Sequence, residues 1–284
     1  MLQQEPSKTA LAVAVLRAVH QLADQTPRIL DDPATLKILD PALIEQIRVD
    51  PSRYQTPQAM ALRAHVVIRS RYAEDRLAEA VLQRGICQYI LLGAGLDTFP
   101  YRQPEWAHAL HIFEVDQPAS QGEKQQRMHK AGIPIPANVE FVPIDFERTP
   151  VAEGLRASSF DPTLPTFISW LGVMVYLSEA ATEAVFRFVA RLPRGSEIVF
   201  TFSQPLPDRK KVAGDTPTLA ERAAKHGEPW KLFITPQDLV PRLHELGFSS
   251  VSVPTRDEIE ARYIRQRQDG LHAAKRATLA SAVV

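Results

Sequence analysis

The chain has 284 residues, 45% apolar and 23% charged, which suits one large globular domain or two small ones. Lys+Arg and Asp+Glu both total 33, so no basic excess exists to build a nucleic-acid stripe or a polybasic membrane patch. The lone cysteine, Cys87, has no partner for an intrachain disulfide, and no apolar run approaches the roughly 20 residues that span a bilayer.

The N-terminal part reads as helical. Leu11, Val15, Val19 and Leu22 recur at helical spacing over Thr9 to Asp24. Asp32-Pro33 reads as an N-cap followed by Pro at the first helical position, leading Ala34 to Leu39. Thr56-Pro57 repeats that device and opens a long helix, about Gln58 to Arg84, stopped by Gly85. From Gln88 the pattern alternates. Strands read at about 88–93, 109–115, 138–144, 165–171, 195–203 and 248–254. Helices read at about 117–131, 147–156, 178–192, 217–226 and 235–246, with helical pieces at 256–268 and 271–281. Strands separated by helices of this length imply βαβ units and a mainly parallel sheet. The expected organisation is a single domain over 1–284. A helical cap over 1–86 precedes an α/β core over 87–284, and a lid segment is expected at about 203–233, rich in Pro and Gly. Glu5 near the start and the lack of a cleavable signal pattern make the cytoplasm the expected location.

The most informative stretch is Gln88-Tyr-Ile-Leu-Leu-Gly-Ala-Gly-Leu-Asp-Thr98. An apolar strand feeding a Gly-x-Gly turn is how doubly wound proteins open a nucleotide crevice. Gly93, Ala94 and Gly95 let backbone N–H groups approach a ligand. Asp97 places a negative charge where a diphosphate would rest, and Thr98 replaces the third small residue of the dinucleotide fingerprint. Both departures point away from NAD and toward a cationic, phosphate-free nucleoside, of which S-adenosylmethionine is the obvious case. Asp116 lies 23 residues beyond Gly93, where an acid can accept from a ribose diol. Glu114 shares its face by the period of two, so either is a candidate, and Asp116 is nearer the strand end. Asp145, at the next strand end, reads either as a partner for an exocyclic amine, with Phe146 beside the purine, or as the N-cap of the following helix. Arg71 is the candidate for a methionine-type carboxylate, although Arg63, Arg69 and Arg76 share its helix. The eight histidines show no paired metal spacing, so no metal site is expected.

These residues carry a resemblance. Leu92-Gly-Ala-Gly-Leu-Asp-Thr98 with Tyr101-Arg102, Phe113-Glu-Val-Asp-Gln-Pro118, Pro143-Ile-Asp-Phe146 and Gly172-Val-Met-Val-Tyr-Leu177 are similar to motifs of the leucine carboxyl methyltransferase-like family, in its bacterial polyketide O-methyltransferase-like branch. Arg69-Ser-Arg-Tyr-Ala-Glu-Asp75 and Gly227-Glu-Pro-Trp230 are family-like as well. The resemblance implies a Rossmann-like class I methyltransferase fold with a mainly parallel seven-stranded sheet. It implies S-adenosyl-L-methionine as cofactor, with Arg71 on the methionine carboxylate, Gly93 beneath methionine and ribose, Asp116 on the ribose hydroxyls, and Asp145 with Phe146 at the adenine. Many relatives carry Glu where this chain has Leu171, which leaves the cofactor amine to a backbone carbonyl.

The expected activity is methyl transfer to a hydroxyl or carboxylate of a small molecule, with neither nucleic acid nor membrane as partner. The sulfonium is already activated, so positioning and water exclusion carry the catalysis. Tyr101, Tyr176, Glu153 and His20 are candidate pocket residues, and none is singled out as a base. Two other readings stand beside this one: a cofactor-binding protein of the same fold without transfer activity, motivated by Leu171, and a nicotinamide-dependent oxidoreductase, opposed by Asp97 and Thr98.

Overall fold

The computed structural model describes residues 7–205, 218–225, 227–276 and 278–284. Four capped helices come first: α1 (Lys8–Ala23), α2 (Pro33–Ile38), α3 (Pro41–Val49) and α4 (Pro57–Arg84). The side chains of Ser7, Asp32, Asp40 and Thr56 each accept a first-turn N–H, and Pro follows the cap in the last three. There the missing N–H of proline is harmless, because first-turn donors have no intrahelical partner. The Asp40-Pro41 pair is the same device as Asp32-Pro33, and α3 adds a helix to those expected. Gly85 ends α4 in the left-handed conformation, with φ 68°.

The rest alternates: β1 (Gln88–Leu92), β2 (His111–Asp116), α5 (Pro118–Lys130), β3 (Val139–Pro143), α6 (Val151–Gly154), β4 (Thr166–Trp170), α7 (Glu179–Val189), β5 (Glu197–Thr201), α8 (Leu219–Lys225), α9 (Pro236–Glu245), β6 (Ser250–Ser252), α10 (Arg256–Ile259) and β7 (Leu279–Val283). They form one seven-stranded sheet in the order β3-β2-β1-β4-β5-β7-β6. The first five strands are parallel, and β7 runs antiparallel to both β5 and β6. The mainly parallel sheet is therefore as expected, with two corrections at the level of elements. The helix expected over 271–281 is replaced by β7, whose small buried residues Ala280, Ser281 and Ala282 fit an inner strand covered on both faces. The helix expected over 147–156 is only α6, because Pro150 biases the residue before it out of helical conformation.

Strand alternation divides the core. Tyr89, Leu91, Ile112, Phe167 and Val199 pack with α4 residues Val67, Ala73 and Leu77 on one face. Ile90, Leu92, Phe113, Ile168, Trp170 and Phe200 pack with Val185 and Phe186 of α7 and Leu239 of α9 on the other. A third cluster joins Ala14 and Ala18 of α1 to Ile38, Ile44 and Leu96, so the N-terminal helices lie against the loop that follows β1. The chain order reverses between β1 and β4, which is where an open α/β sheet forms its crevice. Of the lid expected at 203–233, residues 206–217 and 226 lie outside the described residues.

Candidate functional site

At the end of β1 the chain turns back over β2. The N–H groups of Gly93 and Ala94 both donate to the Val115 carbonyl, at 2.7 and 3.1 Å. Gly93 has φ +69°, and a Cβ there would come within 2.2 Å of Val173 Cγ2. Only glycine fits that backbone against the loop after β4. Gly95 has φ +47°, and a Cβ on it would meet the methyl of Ala10 at 3.3 Å, so α1 roofs the turn.

Asp116 closes the other side. Its Oδ2 accepts from the Gly95 N–H at 2.6 Å and its Oδ1 from the Gln117 N–H at 2.7 Å. Burial raises its carboxyl above the usual range, against the opposing pull of those two N–H groups. Each carboxylate oxygen still has acceptor capacity for a hydroxyl. Glu114 lies two residues deeper on β2, fully buried, and its Oε2 takes the ammonium of Lys124 at 2.5 Å. The two acids therefore separate: Asp116 faces the glycine turn, whereas Glu114 is held by α5.

Asp97 does not stand alone. Its Oδ1 accepts from the Phe99 N–H at 2.8 Å, and Arg17 Nη1 approaches its Oδ2 at 3.7 Å. Thr98, the residue that departs from the dinucleotide pattern, is fully buried in a network with the cap. Arg17 donates to Thr98 Oγ1 at 2.7 Å and to Asp32 Oδ2 at 2.8 Å, and the Thr98 hydroxyl donates to Asp32 Oδ1 at 2.5 Å. The threonine thus ties α1 and the start of α2 to the glycine turn.

Arg71 and Arg69 differ in placement. Arg71 has a side chain 45% exposed and donates to Asp75 at 2.7 Å, a carboxylate it shares with Arg262 and Tyr263. The structure does not bring Arg71 to the turn. Two residues along a helix is about 200° around it, so Arg69 points elsewhere. A Cβ on Gly172, just after β4, would meet Arg69 Nη1 at 2.7 Å and Nη2 at 2.9 Å. Arg69 Nε is buried without a hydrogen-bond partner among the described residues. Burial brings the guanidinium down to about 10, with Tyr176 and Asp97 pulling upward and Arg17 downward, so it stays charged at neutral pH.

Asp145 and Phe146 follow β3. Asp145 Oδ1 accepts from the Glu147 N–H at 3.1 Å, and its carbonyl accepts from the N–H groups of Arg148 and Thr149. It caps a turn rather than the longer helix expected, and a third of its side chain remains open to solvent. Phe146 lies half-buried against the α7-side core. Leu171 packs half-buried on the α4 face, and Gly172 N–H donates to Thr201 Oγ1 at 2.7 Å.

Of the candidate pocket residues, Tyr176 is at the site. Its hydroxyl lies 3.5 Å from Thr9 Oγ1, and it is near enough to Arg69 to act on the guanidinium electrostatically. His20 is fully buried on Asp24 Oδ2 at 2.7 Å, a carboxylate also gripped by Arg63. Tyr101 faces Glu114 and Lys124, and Glu153 is exposed on α6. The sequence reading passed over Arg69, Arg17 and Glu228. Glu228 accepts from the Lys8 N–H at 3.1 Å and from the Thr9 hydroxyl, joining the segment after α8 to the start of α1. The N–H groups of Lys231 and Leu232 both donate to Val175 O, which lays that segment across the loop after β4. Among the described residues, no group of three or more His, Cys, Asp or Glu side chains is arranged to hold a metal ion.

Comparison with known proteins gives the family and the fold. The family model described as leucine carboxyl methyltransferase matches residues 10–190. A protein of Bacillus subtilis (strain 168) named "Putative S-adenosyl-L-methionine-dependent methyltransferase YktD" is 31% identical, over 96% of this chain and 96% of its own. A crystal structure of a DUF574 family protein from Streptomyces avermitilis shares the fold with TM-score 0.58 and 17% identity, covering 100% of this chain and 99% of its own. A "putative methyltransferase" from Thermobifida fusca shares it with TM-score 0.56 and 16% identity, covering 99% and 95%.

Proposed function

Since the chain belongs to the leucine carboxyl methyltransferase family, we propose that it transfers a methyl group from S-adenosylmethionine to an oxygen of a small-molecule acceptor. S-Adenosylmethionine supplies, when bound, a methyl group already activated on a positively charged sulfur. The observation that carries the reading is the pair of charges flanking the glycine turn. Asp116 holds the Gly95 N–H on one side, and Arg69 brings an unsatisfied Nε and two further nitrogens against Gly172 on the other. A ligand with a ribose diol at one end and an amino-acid carboxylate at the other matches that order of groups. In this reading Asp116 takes the diol and Arg69, rather than Arg71, takes the carboxylate. Gly93, Ala94 and Gly95 let the ligand approach the backbone, and Asp97 offers a negative charge nearby. Asp145 and Phe146 lie at the next strand end, in the order expected for the adenine.

The chain's own work is then positioning and exclusion of water. The start of α1, Glu228 and the 231–232 backbone form a roof over the carboxyl ends of β1 and β4. That roof supports an acceptor small enough to enter beneath it, and it supports a lid role for the described parts of 203–233. Two measurements test the reading. Calorimetric titration with S-adenosylmethionine and its demethylated product should give micromolar binding. A screen of hydroxylated and carboxylated small molecules with a methyl-labelled donor should give a labelled product. Release of the label by mild alkali identifies a methyl ester, and retention identifies an ether. Absence of binding by both cofactor forms would sink the proposal.

A further inference from the structure

A cleft opens on the other side of Arg69. It lies between α4, Pro254 and Thr255 with α10, and the residues Ala273, Ala274, Arg276, Thr278 and Leu279 before and at the start of β7. It is a small hollow, open to solvent on one side. Because β7 is antiparallel to β5, with Leu279 opposite Thr201, the start of β7 lies at the carboxyl end of the parallel strands. The cleft is therefore at the same edge of the sheet as the glycine turn, and Arg69 is the wall between Gly172 and the cleft.

Its lining is divided. Ile68, Pro254, Ile259, Ala273 and Leu279 supply an apolar side. Arg69, Arg256 and Arg276 supply positive charge. Guanidinium groups lining one small hollow favour an anion within it. Arg276 donates one nitrogen to the Pro205 carbonyl, and among the described residues the one acid that Arg256 approaches is Glu260, at 3.5 Å from Oε1, an oxygen that already accepts from the Ala273 N–H at 2.8 Å. The internal acid thus leaves much of the guanidinium donor capacity unused. His65, also in the lining, contacts Thr278 Oγ1 through Nδ1 at 3.3 Å and is neutral at physiological pH.

Resting on the methyl-transfer reading above, we infer that this cleft anchors an oxyanion group of the methyl acceptor, a carboxylate or a phosphate, distinct from the oxygen that receives the methyl group. The acceptor is then an amphipathic small anion, its apolar part on Ile68, Ile259 and Leu279 and its charge on Arg256 and Arg276. Guanidinium forks hold either oxyanion by paired hydrogen bonds.

The test uses the full chain, with and without the demethylated cofactor, titrated with benzoate, phenyl phosphate and the neutral control benzamide. The readout is the imidazole NMR signal of His65, assigned by its loss in His65→Gln. Benzoate or phenyl phosphate should shift that signal saturably, and the stronger of the two identifies the oxyanion. Benzamide should not shift it. Arg256→Gln with Arg276→Gln should weaken the anion by about tenfold or more, as expected for loss of charge-assisted hydrogen bonds. Arg256→Glu, a change at a half-exposed position, should abolish the shift in a chain whose thermal transition is retained. Calorimetric affinity for the demethylated cofactor should be the same in all three variants. The inference is overturned if neither anion moves the His65 signal, or if benzamide moves it equally. It is also overturned if only Arg69→Gln removes anion binding, because the anion would then be using the cofactor's carboxylate holder. Failure of the cofactor to bind while the anions still do would strike the methyl-transfer reading and, with it, the assignment of the anion to a methyl acceptor, leaving an anion site only.

Discussion

The carboxylate of Asp116 accepts the Gly95 N–H at 2.6 Å, so the acid at the end of β2 and the turn at the end of β1 are one unit. Its second oxygen is held by the Gln117 N–H. Asp116→Asn leaves one acceptor oxygen where two N–H donors converge, so one donor loses its partner and the charge facing the diol disappears. Hydrogen bonds to charged groups contribute about 1.5–3 kcal/mol, so cofactor affinity should fall about tenfold to a hundredfold. Calorimetry on the variant measures this directly. Unchanged affinity would remove Asp116 from the site.

Arg69 and Arg71 make a paired comparison. Arg69→Gln takes away a partly buried guanidinium, its Nε buried, beside Gly172 and should weaken the cofactor by at least about tenfold. Arg71→Gln breaks a half-exposed pair with Asp75, a class of interaction that contributes about 0–1 kcal/mol, and should leave binding as it was. The opposite ranking in titrations of the two variants would return the carboxylate to Arg71.

Acid should destabilise the fold in part through His65. Burial, reinforced by Arg69, pushes this imidazole down to about 3. In the unfolded chain it titrates near 6.5, so between those values the unfolded state takes up a proton that the folded one refuses. The stability contribution is complete above about 6.5 and is lost progressively as pH falls toward about 3, at up to about 1.4 kcal/mol per pH unit. Denaturant midpoints across that window should fall less steeply with acid in His65→Gln, which keeps a hydrogen-bonding partner for Thr278. An identical acid dependence in both proteins would show that other groups set it.

Much of this architecture is legible in the chain itself. The glycine turn, the alternation of strands with helices, and the Asp-Pro and Thr-Pro helix starts are local signals, and each is realised where the residues stand. β7 is not local. Leu279-Ala-Ser-Ala-Val283 lacks strand alternation because both its faces are buried and its residues are small, and only pairing with β5 and β6 makes it a strand. The exchange of Arg71 for Arg69 has a different cause. Val66, Ala73, Leu77 and Ala80 form a buried stripe on α4, and Arg69 interrupts it at helical spacing. An arginine inside an apolar stripe is the available signal, whereas chemistry alone cannot choose between two arginines two residues apart. Arg63 shows why that signal is incomplete: it is fully buried, yet its partner is Asp24 and its role is to hold the cap. The Arg17–Asp32–Thr98 network joins three segments distant in sequence, so no spacing rule announces it.

Gly93 gives the sharpest steric test. A methyl group at this position meets Val173 Cγ2 at 2.2 Å, and the backbone at φ +69° is one that side chains rarely adopt. Two separate penalties are therefore combined in Gly93→Ala: backbone strain and overpacking, each on the order of 1–3 kcal/mol. The variant should melt earlier and lose cofactor affinity, because the turn must move away from the loop after β4 to admit the methyl group. Val173→Ala removes the clashing methyl groups but leaves the strained φ. The double variant should therefore recover part of the lost thermal stability and little of the binding. Thermal denaturation of the two single variants and the double variant separates the terms. Full recovery in the double variant would mean that backbone strain contributes nothing. No recovery would mean that Val173 is not what confines the turn.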